Sequence, residues 1–178
     1  PRPLSGRGLW RPVRPKGGPE PGLVRIQLTS LNQSRILRLA WDVHPDDFIA
    51  ISCPLADACL VLDGSGNLFF TGDAGRTRKL RARLAELGPS QIRFSGLLSG
   101  WMLDRHGRVW HTRDGGRVFA PLRQPGALPP GELASCLALG PAGRLWLGSR
   151  SGRVYRLTAG GHVQRVGEGP AEPVVSLA

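Results

Sequence analysis

The chain has 178 residues, length enough for one compact domain with a sizeable core. Its 24 Lys+Arg face 13 Asp+Glu, a net charge of +11, and only Lys16 and Lys79 are lysines. Such a balance favours anionic partners, whether nucleic acid, anionic lipid or an acidic protein face; an Arg bias from a GC-rich genome is the plainer alternative. No apolar run reaches bilayer-spanning length. The basic N-terminus is followed by no apolar stretch of the kind a secretory signal carries, and a chain opening on Pro1 reads as a processed or cut product.

Gly 25 and Pro 16 are high, which suits many short strands joined by tight turns. In chain order, Ser5 to Trp10 can be laid on Asp114 to Phe119, so residues 1–22 read as a partial unit in a basic segment. Residues 23–47 are the least repetitive. Val24, Ile26 and Leu28 alternate with polar residues as a strand does, and Ile36 to Trp41 is a second apolar run, so a hairpin or a diverged unit is expected.

The stretch Gly100 to Phe119, GWMLDRHGRVWHTRDGGRVF, reads strand, turn, strand, turn, strand, with Gly107 and Gly116 at the turns. Leu60 to Arg78 is the same stretch 41 residues earlier: Asp63 falls on Asp104, Gly66 on Gly107, Phe69 on Trp110, Thr71 on Thr112, Asp73 on Asp114 and Gly75 on Gly116. Trp146 to Gln164 is a third copy at a shift of 45, with Gly152 on Gly107, Tyr155 on Trp110 and Ala159 in place of the aspartate. An apolar run precedes each copy and a polar strand follows it. Four short strands per period of 41 to 45 residues are the blades of a propeller. The expected fold is therefore an all-β propeller, or a fragment of a larger one, with blades at 48–89, 90–131 and 132–170 and the first strand of another at 171–178.

Arg76 to Leu87 pulls two ways. Leu80, Leu84 and Leu87 have helical spacing, whereas the repeat register demands a strand near Arg78 to Leu84, with Leu80, Ala82 and Leu84 on one side and Lys79, Arg81 and Arg83 on the other. Cys53 and Cys59 could pair across a hairpin, and Cys136 is expected as a buried thiol. With no CxxC or Cys/His cluster, and with His106 in a turn and His111 alternating with Trp110, no metal site and no cofactor are expected.

Thr112 to Phe119 resembles the Asp-box, S/T-x-D-x-G-x-x-W/F, and Thr71 to Arg76 matches its first half with Arg78 at the aromatic position. The wider pattern of Ile92 to Phe119, apolar strand, Gly-Trp, variable residues, then Gly-x-Val-x-x-Thr-x-Asp-Gly-Gly-x-x-Phe, resembles the repeat of the photosystem II assembly/stability factor propellers, a resemblance that covers residues 48 to 165. That resemblance implies seven blades, a thylakoid-lumen or periplasmic setting, and an Arg-rich patch that docks a partner. Thr71, Asp73, Gly75, Thr112, Asp114, Gly116 and Phe119 are then structural residues of the turns.

Functionally, the arginines stand out. Arg76, Arg78, Lys79, Arg81 and Arg83 crowd into eight residues, and Arg105, Arg108, Arg113, Arg117 and Arg153 follow, with Arg108 and Arg153 at one repeat position. Stacked in register they would form a basic stripe, and guanidinium forks suit carboxylates and phosphates. The expected role is a non-catalytic interaction or assembly module that docks an acidic protein partner. Nucleic-acid or ribonucleoprotein binding is the first alternative, although the aromatics are assigned to core positions rather than stacking platforms. A glycan-binding or sialidase-like propeller is the second. Tyr155, the only tyrosine, falls on a core position, and no catalytic residue is assigned.

Overall fold

The computed structural model describes residues 24–30, 33–39, 47–123, 127–158, 161–169 and 171–175. The partial unit expected at residues 1–22 lies outside them.

Two strands, β1 (Val24–Ser30) and β2 (Gln33–Leu39), pair as an antiparallel hairpin. Three four-stranded antiparallel sheets follow. The first is β3 (Phe48–Ser52), β4 (Cys59–Asp63), β5 (Asn67–Thr71) and β6 (Lys79–Arg83). The second is β7 (Pro89–Phe94), β8 (Gly100–Asp104), β9 (Val109–Thr112) and the two-residue β10 (Ala120–Pro121). The third is β11 (Ala134–Leu139), β12 (Leu145–Ser149), β13 (Arg153–Leu157) and β14 (Val163–Glu168). Each sheet meanders, its strands pairing in sequence order.

The sheets stack face to face, and that explains their composition. Alternate residues of one strand enter different cores, so a middle strand reads apolar throughout. On β8, Met102 packs with Leu60, Leu62, Leu68, Ile92, Phe94 and Phe119 between the first and second sheets. Its neighbours Trp101 and Leu103 pack with Leu137, Leu145, Leu147 and Tyr155 between the second and third. The outer strands lack a second core and are accordingly polar, as in KLRAR of β6.

The first strands of successive sheets lie side by side, laced by side-chain to backbone bonds. The Phe94 N–H donates to Ser52 Oγ at 2.8 Å, and the Leu137 N–H to Gln91 Oε1 at 3.0 Å. Ser135 Oγ donates to the Val174 carbonyl at 2.6 Å, and the Val174 N–H to the Ser149 carbonyl at 3.0 Å, so the segment after β14 is tied back to β11 and β12.

Within Arg76 to Leu87 the chain forms the strand Lys79–Arg83, not an α-helix. The backbone of β6 pairs with β5, and a single 3-10 turn at Ala85–Leu87 ends at Gly88, whose φ is +60°. Of the three leucines at helical spacing, Leu84 is buried in the core and Leu87 packs against it, while Leu80 is 46% exposed. The simple alternation expected on β6 is also corrected. Phe69 opposes Leu80 and Leu68 opposes Ala82, leaving Arg81 as the extra residue of a β-bulge. Ala82 thus turns to the core beside Leu68, and Arg81 is re-aimed. Cys53 and Cys59 form a disulfide that closes the loop between β3 and β4, and Cys136 is a buried free thiol whose pKa burial pushes up.

Candidate functional site

Each sheet presents two hairpin turns at opposite ends of its third strand. The turn between the second and third strands is built on an acidic clamp. Asp104 Oδ1 accepts the N–H groups of His106 and Arg108, both at 2.9 Å, while Oδ2 accepts Arg108 Nε at 2.8 Å and Trp110 Nε1 at 3.1 Å. Burial of this carboxyl works to raise its pKa, but the N–H of Arg108, the indole of Trp110 and the Arg108 guanidinium outweigh it and hold the pKa below the usual range. In the first sheet Asp63 clamps Asn67 through both its backbone N–H (2.8 Å) and its side-chain amide (3.0 Å). In the third, Ser149 stands at this position and Oγ accepts the Arg153 N–H at 3.1 Å. The missing carboxylate comes from elsewhere: Glu132, ahead of β11, accepts Ser151 Oγ at 2.7 Å and forms an ion pair with Arg153.

The turn at the other end, after the third strand, has the same bonds in the first two sheets. Thr71 Oγ1 donates to Asp73 Oδ1 at 2.8 Å and accepts the Gly75 N–H at 2.9 Å; Asp73 also takes the N–H and hydroxyl of Thr77. Those bonds, the Thr77 hydroxyl first, lower the Asp73 pKa to about 2. Thr112, Asp114 and Gly116 repeat the pattern, with the Arg117 and Val118 N–H groups donating to Asp114 Oδ1 at 3.0 and 3.1 Å. These bonds, led by that from Val118, lower the Asp114 pKa. Phe119 lies beneath in the core between the first two sheets. In the first sheet Arg78 replaces that aromatic, and its guanidinium carbon stands 5.1 Å from the Phe69 ring centre.

The basic residues divide between the two ends rather than forming one stripe. Arg105, Arg108 and Arg153 lie at the turns before the third strands, together with Arg150, which occupies in the third sheet the place of Arg105 in the second. Arg76, Arg78, Arg113 and Arg117 lie at the turns after the third strands, with Lys79 and Arg81 on β6, whereas Arg83 ends β6 opposite Asn67, at the other end. Arg108 and Arg153, the pair in repeat register, are both engaged, by Asp104 and Glu132. Their recurrence therefore reflects turn architecture.

The end bearing Arg113 and Arg117 has a feature not legible in the charge pattern. Leu98 accepts the Gly115 N–H at 2.9 Å, which ties the loop between β7 and β8 to this turn. Leu97 (43% exposed), Leu98 (62%) and Val118 (67%) all face solvent there. The Arg81 bulge lies on the neighbouring sheet, with its guanidinium carbon 4.3 Å from the Phe70 ring centre. Burial, and then the like charge of Arg117 on the neighbouring sheet, lower the Arg81 pKa, against the opposing charge of Asp114.

Tyr155 is 3% exposed and sits in the core, and His111 stacks on Trp101 with ring centres 5.2 Å apart, facing away from Trp110. His111 bonds Ser99 at 3.3 Å, and burial lowers its pKa. Among the described residues no group of three His, Cys, Asp or Glu side chains could hold a metal ion, and no helix is long and apolar enough to cross a membrane.

Three antiparallel four-stranded sheets, stacked through shared cores with their first strands adjacent, define a β-propeller. Solved structures agree. The chain is similar to the C-terminal WD40 domain of Sif2 (14% identity, TM-score 0.55, covering 88% of this chain and 43% of that one). It is also similar to virginiamycin B lyase from Staphylococcus aureus (13%, 0.52, 81% and 50%) and to YCF48 solved with a D1 peptide (16%, 0.44, 80% and 60%). The chain thus spans about half the length of the propellers it matches. No protein-family model and no curated protein matches it.

Proposed function

We propose that this propeller is a non-catalytic docking module whose basic, partly apolar rim receives an acidic face of a protein partner. The observation that carries the reading is the rim of the second blade. Leu97, Leu98 and Val118 are exposed beside Arg113 and Arg117, with Arg81 bulged toward the same seam. Apolar groups ringed by arginine are the composition of protein interfaces, where apolar contact supplies affinity and charge selects the partner. The two Thr-x-Asp turns are the Asp-boxes of this reading; their carboxylates hold the rim in shape.

The test is capture from a native extract by the wild type and by the Arg81→Glu/Arg117→Glu variant, with bound protein and nucleic acid measured separately. The wild type retains an acidic protein that the folded variant releases. Equal retention by both would overturn the reading, and salt-sensitive retention of nucleic acid alone would replace it with nucleic-acid binding.

A further inference from the structure

A second basic feature lies at the opposite end of the strands, between the second and third blades. A cavity of about 410 Å³ opens there, walled by Ser90, Leu103, Ser135 and Pro173, with Arg105 and Arg150 contributing to its lining. This volume is within the range of small-ligand sites, roughly 300–1,000 Å³. Both arginines are exposed, and they hold equivalent places in consecutive blades. Arg150 Nη2 donates to the Arg105 carbonyl at 3.1 Å, which draws the two turns together at one mouth.

The wall polar groups are already satisfied. Ser90 Oγ donates to the Leu103 carbonyl at 3.0 Å, and Ser135 Oγ to the Gly148 and Val174 carbonyls. The amide of Gln91 is bonded at both ends to β11, at 3.4 and 3.0 Å. The one carboxylate in the lining, Asp104, is 2% exposed and neutralised by its ion pair with Arg108. Donor capacity therefore remains on the guanidinium groups. Among the described residues no acceptor meets the Arg105 guanidinium, and Arg150 uses a single N–H of the five that the group carries. The cavity offers two guanidinium groups, Arg150 held by one bond and Arg105 unpaired among the described residues, over walls that compete with neither.

We propose that this cavity is a carboxylate-binding pocket, which receives one acidic side chain or the terminal carboxylate of an extended segment of a protein partner. Guanidinium forks take a carboxylate by paired N–H to oxygen bonds, and two of them at one mouth fix its direction as well as its charge. This inference rests on the docking reading and extends it. The rim of the second blade supplies the broad contact, and the pocket at the other end supplies an anchor specific for a carboxylate.

The experiment is an NMR titration of the protein with an eight-residue peptide capped at both ends that carries one Glu among alanines and serines. Its Gln counterpart and an uncapped neutral peptide with a free C-terminus are the comparison ligands. Saturable shifts are expected at the Gln91 amide, Leu103 and the Nε–H groups of Arg105 and Arg150, for the Glu peptide or the free C-terminus and not for the capped Gln peptide. The two carboxylate ligands thereby separate a side-chain from a terminal source. Arg105→Gln/Arg150→Gln should weaken binding at least tenfold, whereas Arg81→Glu/Arg117→Glu should leave it within twofold. Shifts in the wild type that map elsewhere overturn the pocket even if the double variant does not fold. Sensitivity to Arg81 and Arg117 alone would overturn the pocket and leave the docking reading standing. If the pocket peptide binds as expected while extract capture is unaffected by Arg81→Glu/Arg117→Glu, the docking reading falls and the pocket survives.

Discussion

Replacing Asp104 tests whether the turn clamps are what hold the blades. The carboxylate is 2% exposed and accepts four bonds, two from backbone N–H groups, one from an indole and one from a guanidinium. In Asp104→Ala the two backbone N–H groups and the Trp110 indole lose their acceptor, at about 1 kcal/mol each for partly buried donors. The Arg108 side chain is 60% exposed and turns to water, so its share is near zero. The sum is about 3 kcal/mol, a fall in Tm of about 6–12 °C for a chain of this size. Asp104→Asn keeps Oδ1 for the backbone pair but sets an amide NH2 against the indole and guanidinium, and should cost about 1 kcal/mol. The pH dependence adds a separate signature. The folded pKa of Asp104 is lowered, so its contribution is fully present above the ordinary carboxylate pKa and is lost as pH falls through the folded value. The stability of the Asn variant should accordingly fall less steeply with acid. Urea melts from pH 7 down to pH 2 read both effects. An Ala variant within about 0.5 kcal/mol of wild type, or an Asn variant equal to Ala, refutes the clamp.

Two further predictions concern the turns at the other end. Carboxyl-carbon NMR should show Asp73 titrating near 2, and Thr77→Val should move it up toward 3.8, because the Thr77 hydroxyl is the largest cause of the shift; an unmoved midpoint would show that the turn is held otherwise. Gly116→Ala should destabilise by about 2–3 kcal/mol, since φ is +87° and a Cβ there would stand 2.6 Å from Leu68 Cδ2, while Gly131→Ala, with φ +84° and open space, should cost only about 1 kcal/mol in a chemical melt.

The blades were legible in the sequence because their constraints are local. Gly66, Gly107 and Gly152 mark equivalent turns at φ +80°, +85° and +82°, and they set the register that also places Tyr155 in the core. What escaped the sequence depends on contacts between distant residues. The Arg81 bulge is a one-residue slip between β5 and β6, and period-two alternation cannot reveal it. Glu132 restores the carboxylate lost at Ser149 from a position ahead of the blade's first strand, where no repeat alignment searches. The basic residues were visible, but their division between two ends was not, since it depends on which end of a third strand each turn occupies.

That division changes how the arginines should be weighed. Recurrence in register first suggests function, yet Arg108 and Arg153 are the arginines the fold itself uses, each closing a turn against an acid. Arg105 and Arg150 recur equally well, three residues earlier, and meet no acid among the described residues. A fold that needed positive charge at that place would have supplied a carboxylate, as it did twice for the neighbouring position. On the proposed reading the unneutralised pair awaits a negative group from a partner, and it is there, and at the Arg81–Arg117 seam, that substitutions should separate binding from folding.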